Sequence, residues 1–428
     1  MLFSLLLRTG DRGPEVELLQ LGLNRAGFLA PPPDGIFGPL TGRALVEFQK
    51  SRGLTPDGIA GPVSFRALEG YLLGRAEHRI RPGDTLYRLA RIYGTTLGSI
   101  EAANPDLDPY TLPVGAVIKV PYGFPVVPRN ISFTPTVLEI CIRGLMDRYP
   151  FIGLEVIGRS IADSPIFALT VGRGSNHVMY NGSHHANEWI TSALLMCFLE
   201  EYASAIALDK GILGMGAKEL FERTCLHLVP MVNPDGVALA AGAIRSGYLY
   251  EAARAIADRY PEIAFPDGWK ANIRGTDLNL QYPAGWEMAR EIKYSQGFIT
   301  PAPRDYVGAA PLSEPESRAI YDYTLKHDFS LTLSYHTQGQ VIFWKYLDME
   351  PPGAYQIGRY FSALSGYYLA ETPRSSGYAG YKDWFILNYD RPGYTVEAGS
   401  GENPLPISEL DRILEDNLGI LVAALTAT

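Results

Sequence analysis

The sequence predicts an α/β domain preceded by a small three-helix unit and a small βααβ unit. Three observations carry this. Apolar, strand-like runs alternate with helical patterns beyond about residue 130, a short Asp-Gly motif repeats before residue 73, and residues 78–122 read as strand, turn, two amphipathic helices and strand. At 428 residues the chain is long for one domain, so two or three are expected, at least one large enough for a full core.

In the first unit, "PEVELLQLGLNRAGF" sets Val16, Leu19, Leu23 and Phe28 at roughly helical spacing. "DGIFGP" at 34–39 is echoed by "DGIAGP" at 57–62, each running into a helix-like stretch. Asp-Gly makes a turn, and Pro39 or Pro62 suits the first helical position, where a missing N–H is harmless. A three-helix domain over residues 1–73 follows. Taken together these blocks resemble the peptidoglycan-binding helical domain attached to bacterial wall hydrolases.

The second unit, residues 78–122, contains "RPGDTLYRLARIYG", "IEAANP" and "LPVGAVIKVP". It resembles a LysM module, and the resemblance implies binding of N-acetylglucosamine-containing glycan. "YGFPVVPRNISFTP" reads as a linker into a domain at 130–428. There the runs "HVMYNGS", "CLHLVPMVNP", "LTLSYHTQG" and "YTVEAGS" alternate with helical segments such as "ITSALLMCFLEEYASAIAL". In such a domain the loops at strand ends carry the site.

Composition narrows the function. A formal net charge of −9 argues against a nucleic-acid partner, whose phosphates call for Lys and Arg. Residues 1–121 hold 13 Lys and Arg against 12 Asp and Glu, and the remainder holds 24 against 34, so the acidic excess lies C-terminal. Cys141, Cys197 and Cys225 sit among apolar residues without metal-type spacing and read as buried thiols. No uninterrupted stretch of 18 apolar residues is present, so no membrane-spanning helix is expected. The opening "MLFSLLLRTGDRG" has an apolar run too short for the core of an export signal.

The segment "NGSHHANEWITS" places His185 and Glu188 three apart where a strand gives way to a helix. One helical turn brings both side chains to one side, and His336 in "LTLSYHTQGQ" is the best third donor. Two histidines, a glutamate and an open position form a catalytic zinc pattern. "GSHHANEWIT", "VNPDG", "RGTDLNLQYPAGW", "SYHTQGQ" and "GYTVEAGS" occur in the order and rough spacing of the zinc carboxypeptidase family, which this chain resembles over about residues 130–428. The resemblance implies a mixed β-sheet flanked by helices and one zinc per chain on His185, Glu188 and His336. It makes Glu397 the general base that takes a proton from the attacking water, and Asp277 the acid that orients a ligating histidine. A cation must hold the oxyanion. Arg274 is the first choice, with Lys270 as rival. His184 and His227 read as structural histidines, and His177, His78 and His327 have no partner visible in the sequence.

One departure shifts the expected substrate. Carboxypeptidases proper grip a free C-terminal carboxylate with an Asn-Arg pair, whereas "DLNLQ" keeps Asn279 and has Leu280 in place of the arginine. Loss of such a charge-assisted clamp, worth about 1.5–3 kcal/mol, weakens exopeptidase preference. "HHANEW" and "GYAGYKDWF" instead look like the bacterial branch that cuts the γ-D-glutamyl–diaminopimelate bond of peptidoglycan. Lys382 then stands at the base of the pocket for the residue after the cut, and Asn279, Tyr378 and Tyr381 are the other expected substrate contacts. The expectation is a zinc-dependent hydrolase of peptidoglycan or muropeptide stem peptides, held on glycan by its N-terminal modules, with no nucleic-acid or membrane partner. Its setting is the cell wall or a sporulation compartment. The alternatives are a metallocarboxypeptidase acting on ordinary C-termini, or a catalytically inactive wall-binding protein.

Overall fold

The computed structural model describes residues 6–427. The expectation about an export signal falls partly on residues 1–5, outside the described residues. Two compact units are present: residues 6–132 with Thr136–Gly153 and Glu200–Lys210, and Phe133–Pro135 with Leu154–Leu199 and residues 211–427.

The first unit opens with helices α1 (Pro14–Arg25), α2 (Pro39–Ser51) and α3 (Pro62–Leu72). Each starts with proline in its first turn, where its fixed φ suits the helix and no N–H is wasted. The Asp-Gly echo is a repeated device. The buried Gln20 amide donates to Asp34 Oδ1 (2.7 Å) while its oxygen accepts from the Asp34 and Gly35 amides. Gln49 does the same one repeat later, donating to Asp57 Oδ1 (2.9 Å) and accepting from Gly58 N. Gly35 and Gly58 have φ of +67° and +70°, a backbone state that favours glycine.

Strands β1 (Arg75–Arg79) and β2 (Val117–Pro121) pair antiparallel around helices α4 (Leu86–Tyr93) and α5 (Leu97–Ala103), giving the βααβ order. Thr85 and Thr96 cap these helices, each hydroxyl accepting a first-turn amide at 3.1 Å. Helix α6 (Pro135–Arg148) packs within the same unit: Arg148 Nη2 donates to the carbonyls of Gly74, Tyr122 and Phe124.

The second unit is built on β3 (Gly153–Arg159), β4 (Pro165–Val171), β5 (Asn176–Gly182), β8 (Thr224–Val229), β9 (Phe329–His336), β10 (Val341–Phe343), β11 (Tyr368–Ala370) and β12 (Gly393–Glu397). Two short strands, β6 (Gly211–Ile212) and β7 (Met215–Gly216), form a separate hairpin. The main sheet is mixed and runs in the order β11-β10-β12-β9-β5-β8-β4-β3. Its four central strands, β12, β9, β5 and β8, are parallel to one another, and β10 and β4 run antiparallel beside them.

Helices α7 (Ile190–Ala207), α8 (Ala217–Arg223), α9 (Pro234–Ala240), α10 (Tyr248–Ala257), α11 (Trp286–Ser295), α12 (Pro315–Leu325), α13 (Ala354–Ser365), α14 (Tyr381–Tyr389) and α15 (Leu410–Ala423) complete the order. The stretch Ala186–Ala207 is long and apolar enough to cross a bilayer by composition, yet most of it is buried; it is a core helix. The parallel strands therefore have two distinct ends, and all the family-like motifs fall at the C-terminal one.

Candidate metal centre and active site

Strand β5 ends at Gly182, and the chain turns through Ser183, whose φ is +52°. That turn is fixed by the start of α7: Ser183 N donates to Thr191 Oγ1 at 2.9 Å, and the Ser183 and Ser192 hydroxyls are 2.7 Å apart. His185 then caps a 3₁₀ turn, Ala186–Glu188. The Ala186 amide donates to the carbonyl of Lys270, which brings the "WKANIR" segment alongside. Asn233 of "VNPDG" does similar work, capping α9 through Gly236 N while donating to the carbonyls of His184 and Ala271.

His185, Glu188 and His336 come together with their ligand atoms all within 4.8 Å of one another. His185 Nδ1 lies 3.0 Å from Glu188 Oε1 and 3.1 Å from His336 Nδ1, which is itself 3.0 Å from Glu188 Oε2. On its other side His185 Nε2 meets Asp277 Oδ1 at 3.2 Å. An Nε2 proton given to that carboxylate leaves Nδ1 with its lone pair toward the group, the usual arrangement of a ligating histidine. Two imidazole nitrogens and a carboxylate converging on one point repel unless a proton or a cation lies between them. The donor set thus fits zinc.

Around this core the charges are buried and alternate in sign. Lys270 Nζ is 2.9 Å from Glu188 Oε1, and Thr337 N donates to Glu188 Oε2 at 3.2 Å. Burial alone would raise the Glu188 carboxyl, but His185 and Lys270 outweigh it and hold it well below its usual range. Burial likewise works to lower His185, and Glu188 with Asp277 overcomes it, holding the ring up at about 9. Glu397 ends β12 in register with His336 on β9. Burial raises its carboxyl above the ordinary value, with His336 opposing, which suits a base working near neutral pH.

Two cavities lie beside the group, and the smaller one is lined by a donor. One of about 230 Å³ is lined by His185, Lys270, Asn279, Leu280, Lys382 and Glu397 among others. A larger one of about 980 Å³ shares Lys270, Arg304, Phe343 and Glu397 with it. Asn279 reaches toward His336 Nε2 (3.5 Å) while its side-chain oxygen accepts from Tyr381 N. Lys382 Nζ donates to the Lys345 carbonyl (2.6 Å) and Thr372 Oγ1, and lies 2.7 Å from Asp383 Oδ1.

Three sequence-predicted residues are not brought to the group. Arg274 is half-exposed and pairs with Glu314 at 3.0 Å; Lys270, its rival, is the cation that faces the donors. Tyr381 is fully buried, its hydroxyl 3.0 Å from Thr324 Oγ1, because as the first residue of α14 it faces the core while its amide serves Asn279. Tyr378 packs in the small apolar cluster of Leu280, Trp286, Val307 and Ala379. His184 bonds Tyr282 at 2.9 Å and is buried behind the group. Arg304, in both cavity walls and bonded to Asp305 through Nε, carried no signal in the sequence: it stands in an irregular loop with no periodicity to aim it.

Comparison with known proteins bears on this arrangement. Residues 138–419 match the zinc carboxypeptidase family, 12–68 a peptidoglycan binding domain and 78–121 the LysM domain. The chain is 44% identical over 284 residues to gamma-D-glutamyl-L-diamino acid endopeptidase 1 of Lysinibacillus sphaericus, covering 66% of this chain and 70% of that protein. It is 37% identical to the uncharacterized protein YqgT of Bacillus subtilis over 68% of this chain and 77% of that one. Among solved structures it resembles the carboxypeptidase A from Helicoverpa armigera, with a TM-score of 0.51 at 17% identity, covering 90% of this chain and 94% of that one.

Proposed function

The chain belongs to the zinc carboxypeptidase family, and we propose that it hydrolyses the γ-D-glutamyl–meso-diaminopimelate bond of peptidoglycan stem peptides. Residues 1–73 and 78–122 hold glycan, the second through N-acetylglucosamine, while 130–428 cuts. The observation that carries the substrate reading is the cavity beside the metal donors. It presents Asn279 with Leu280, where a carboxypeptidase would set its arginine, and the Lys382–Asp383 pair forms part of its lining. The side chain of diaminopimelate ends in a carboxylate beside an ammonium, and an adjacent cation and anion complement both. A lysine side chain ends in an ammonium alone.

Zinc bound by His185, Glu188 and His336 would supply a Lewis acid for the scissile carbonyl and for the attacking water. The remaining steps belong to the chain. Glu397 accepts the proton of the attacking water and passes it to the leaving amine of diaminopimelate. Lys270 faces the oxygen that gains charge. Asp277 fixes the tautomer of His185, and the Thr337 amide fixes the Glu188 carboxylate. Leu280 leaves the far side of the leaving residue unclamped, so a longer chain can continue there.

Digestion of defined muropeptides followed by product masses tests the reading. The proposal expects scission between D-glutamate and diaminopimelate. Release of only C-terminal residues would replace it with the ordinary carboxypeptidase.

A further inference from the structure

The seven histidines are not spread evenly. His184, His185 and His336 stand at the C-terminal ends of the parallel strands, and His78 pairs with Asp84 and Tyr93 in the βααβ unit. The other three, His177, His227 and His327, gather with Cys225 at the opposite end of the same strands. His177 lies on β5 beside Cys225 on β8, and Met179 lies beside His227. Paired residues on neighbouring parallel strands share a face, as do alternate residues on one strand, so the topology aims His177, Cys225 and His227 to one side.

Their ligand atoms lie within 4.8 Å of one another, the same closeness as in the catalytic group. His177 Nδ1 and His227 Nε2 face each other at 2.8 Å. The other nitrogen of His227 meets the Tyr323 hydroxyl at 2.7 Å. A proton given by His227 Nδ1 to that oxygen leaves Nε2 as a donor of electrons, the outer-shell arrangement that fixes a ligating imidazole. His327 lies alongside, its ring centroid 4.6 Å from that of His227. Its Nδ1 is 2.9 Å from the Tyr323 carbonyl. A carbonyl can only accept, so Nδ1 carries the proton and Nε2 keeps its lone pair.

We propose that His177, Cys225 and His227 hold a second zinc ion at the end of the sheet remote from the catalytic group. A thiolate with two imidazoles is a set of zinc ligands. No carboxylate base stands among the donors, so the ion has an anchoring role: it ties β5 to β8. On binding, the Cys225 thiol gives up its proton to solvent and ligates as thiolate.

Sulfur separates the two sites experimentally, because the catalytic donor set has none. Full-length protein stripped with a chelator and titrated with Co²⁺ alone is expected to take up two equivalents. It should develop the near-ultraviolet sulfur-to-cobalt charge-transfer band. His336→Ala should keep the band and lose one equivalent. Cys225→Ser should lose the band and one equivalent while retaining the other. Uptake of a single equivalent with no such band in the parent, or a band unchanged in Cys225→Ser, overturns the proposal. If Cys225→Ser does not fold, the parent and His336→Ala spectra decide the matter between them.

Discussion

At the C-terminal ends of β5 and β9, His185 and His336 sit among Glu188, Asp277, Lys270 and Glu397, beside two cavities. At the start of β5 and midway along β8, His177 and His227 sit among Tyr323, Phe329 and His327, with a thiol as neighbour. Both pairs of imidazoles face each other at hydrogen-bond distance, 3.1 Å in one case and 2.8 Å in the other. Their electrostatics are opposite: carboxylates hold His185 up at about 9, whereas burial drives His227 down to about 3. The same side chain thus serves chemistry where charge and an open cavity surround it, and anchoring where aromatic rings do.

The contrast can be broken most forcefully at Glu397. Glu397→Gln should retain zinc and lose roughly 10²–10⁴-fold in kcat, because an amide accepts no proton from the attacking water; kcat close to the parent's would remove Glu397 from the role of base. Lys270→Met should cost about 10²–10³-fold in kcat if its ammonium meets the oxyanion. Arg274→Met, half-exposed on Glu314, should cost far less, and the reverse ranking would restore Arg274 to that role.

The Lys382–Asp383 pair sharpens the comparison at the level of substrate. Lys382→Met should lower the preference for diaminopimelate over lysine by about 1–3 kcal/mol, read from the ratio of kcat/KM on the two γ-D-glutamyl peptides. An unchanged ratio excludes Lys382 as the specificity residue.

An effect on stability rather than turnover is expected in α12, whose last turn carries Tyr323 and whose first turn carries the buried Glu316. Burial pushes that carboxyl from 4.5 up to about 7. The unfolded chain therefore releases the proton at lower pH than the fold does, and stability falls as pH rises from about 4.5 to 7. Glu316→Gln should flatten that slope and recover on the order of 3 kcal/mol at most above pH 7. Urea midpoints at pH 5 and pH 8 that shift equally in parent and variant would contradict this.

The two ends also differ in how legible they were in the sequence. His185 and Glu188 declare themselves because one turn of chain carries both, and His336 and Glu397 follow because each ends an apolar strand. The opposite group is distributed over two strands and a loop. His227 alternates with apolar residues and reads as core, His177 reads as unpartnered, and only strand register shows that they meet. The Asp-Gly echo was legible for a similar reason: turn, glycine and proline are local, and the Gln20 and Gln49 clamps only reinforce them. Lys270 and Arg274 lie four residues apart in an irregular segment where no periodicity separates them; only the structure shows Lys270 Nζ 2.9 Å from Glu188 Oε1 and Arg274 on Glu314.

The central claim, cleavage at an internal bond by the charged end of the sheet, is tested most directly by substrate length. Parent enzyme is assayed on L-alanyl-γ-D-glutamyl-meso-diaminopimelate and on the same peptide extended by a D-alanine or amidated at the C-terminus. With Leu280 in place of a carboxylate clamp, kcat/KM should be similar for all three. Hydrolysis confined to the form with a free carboxylate one residue beyond the cut would contradict the account.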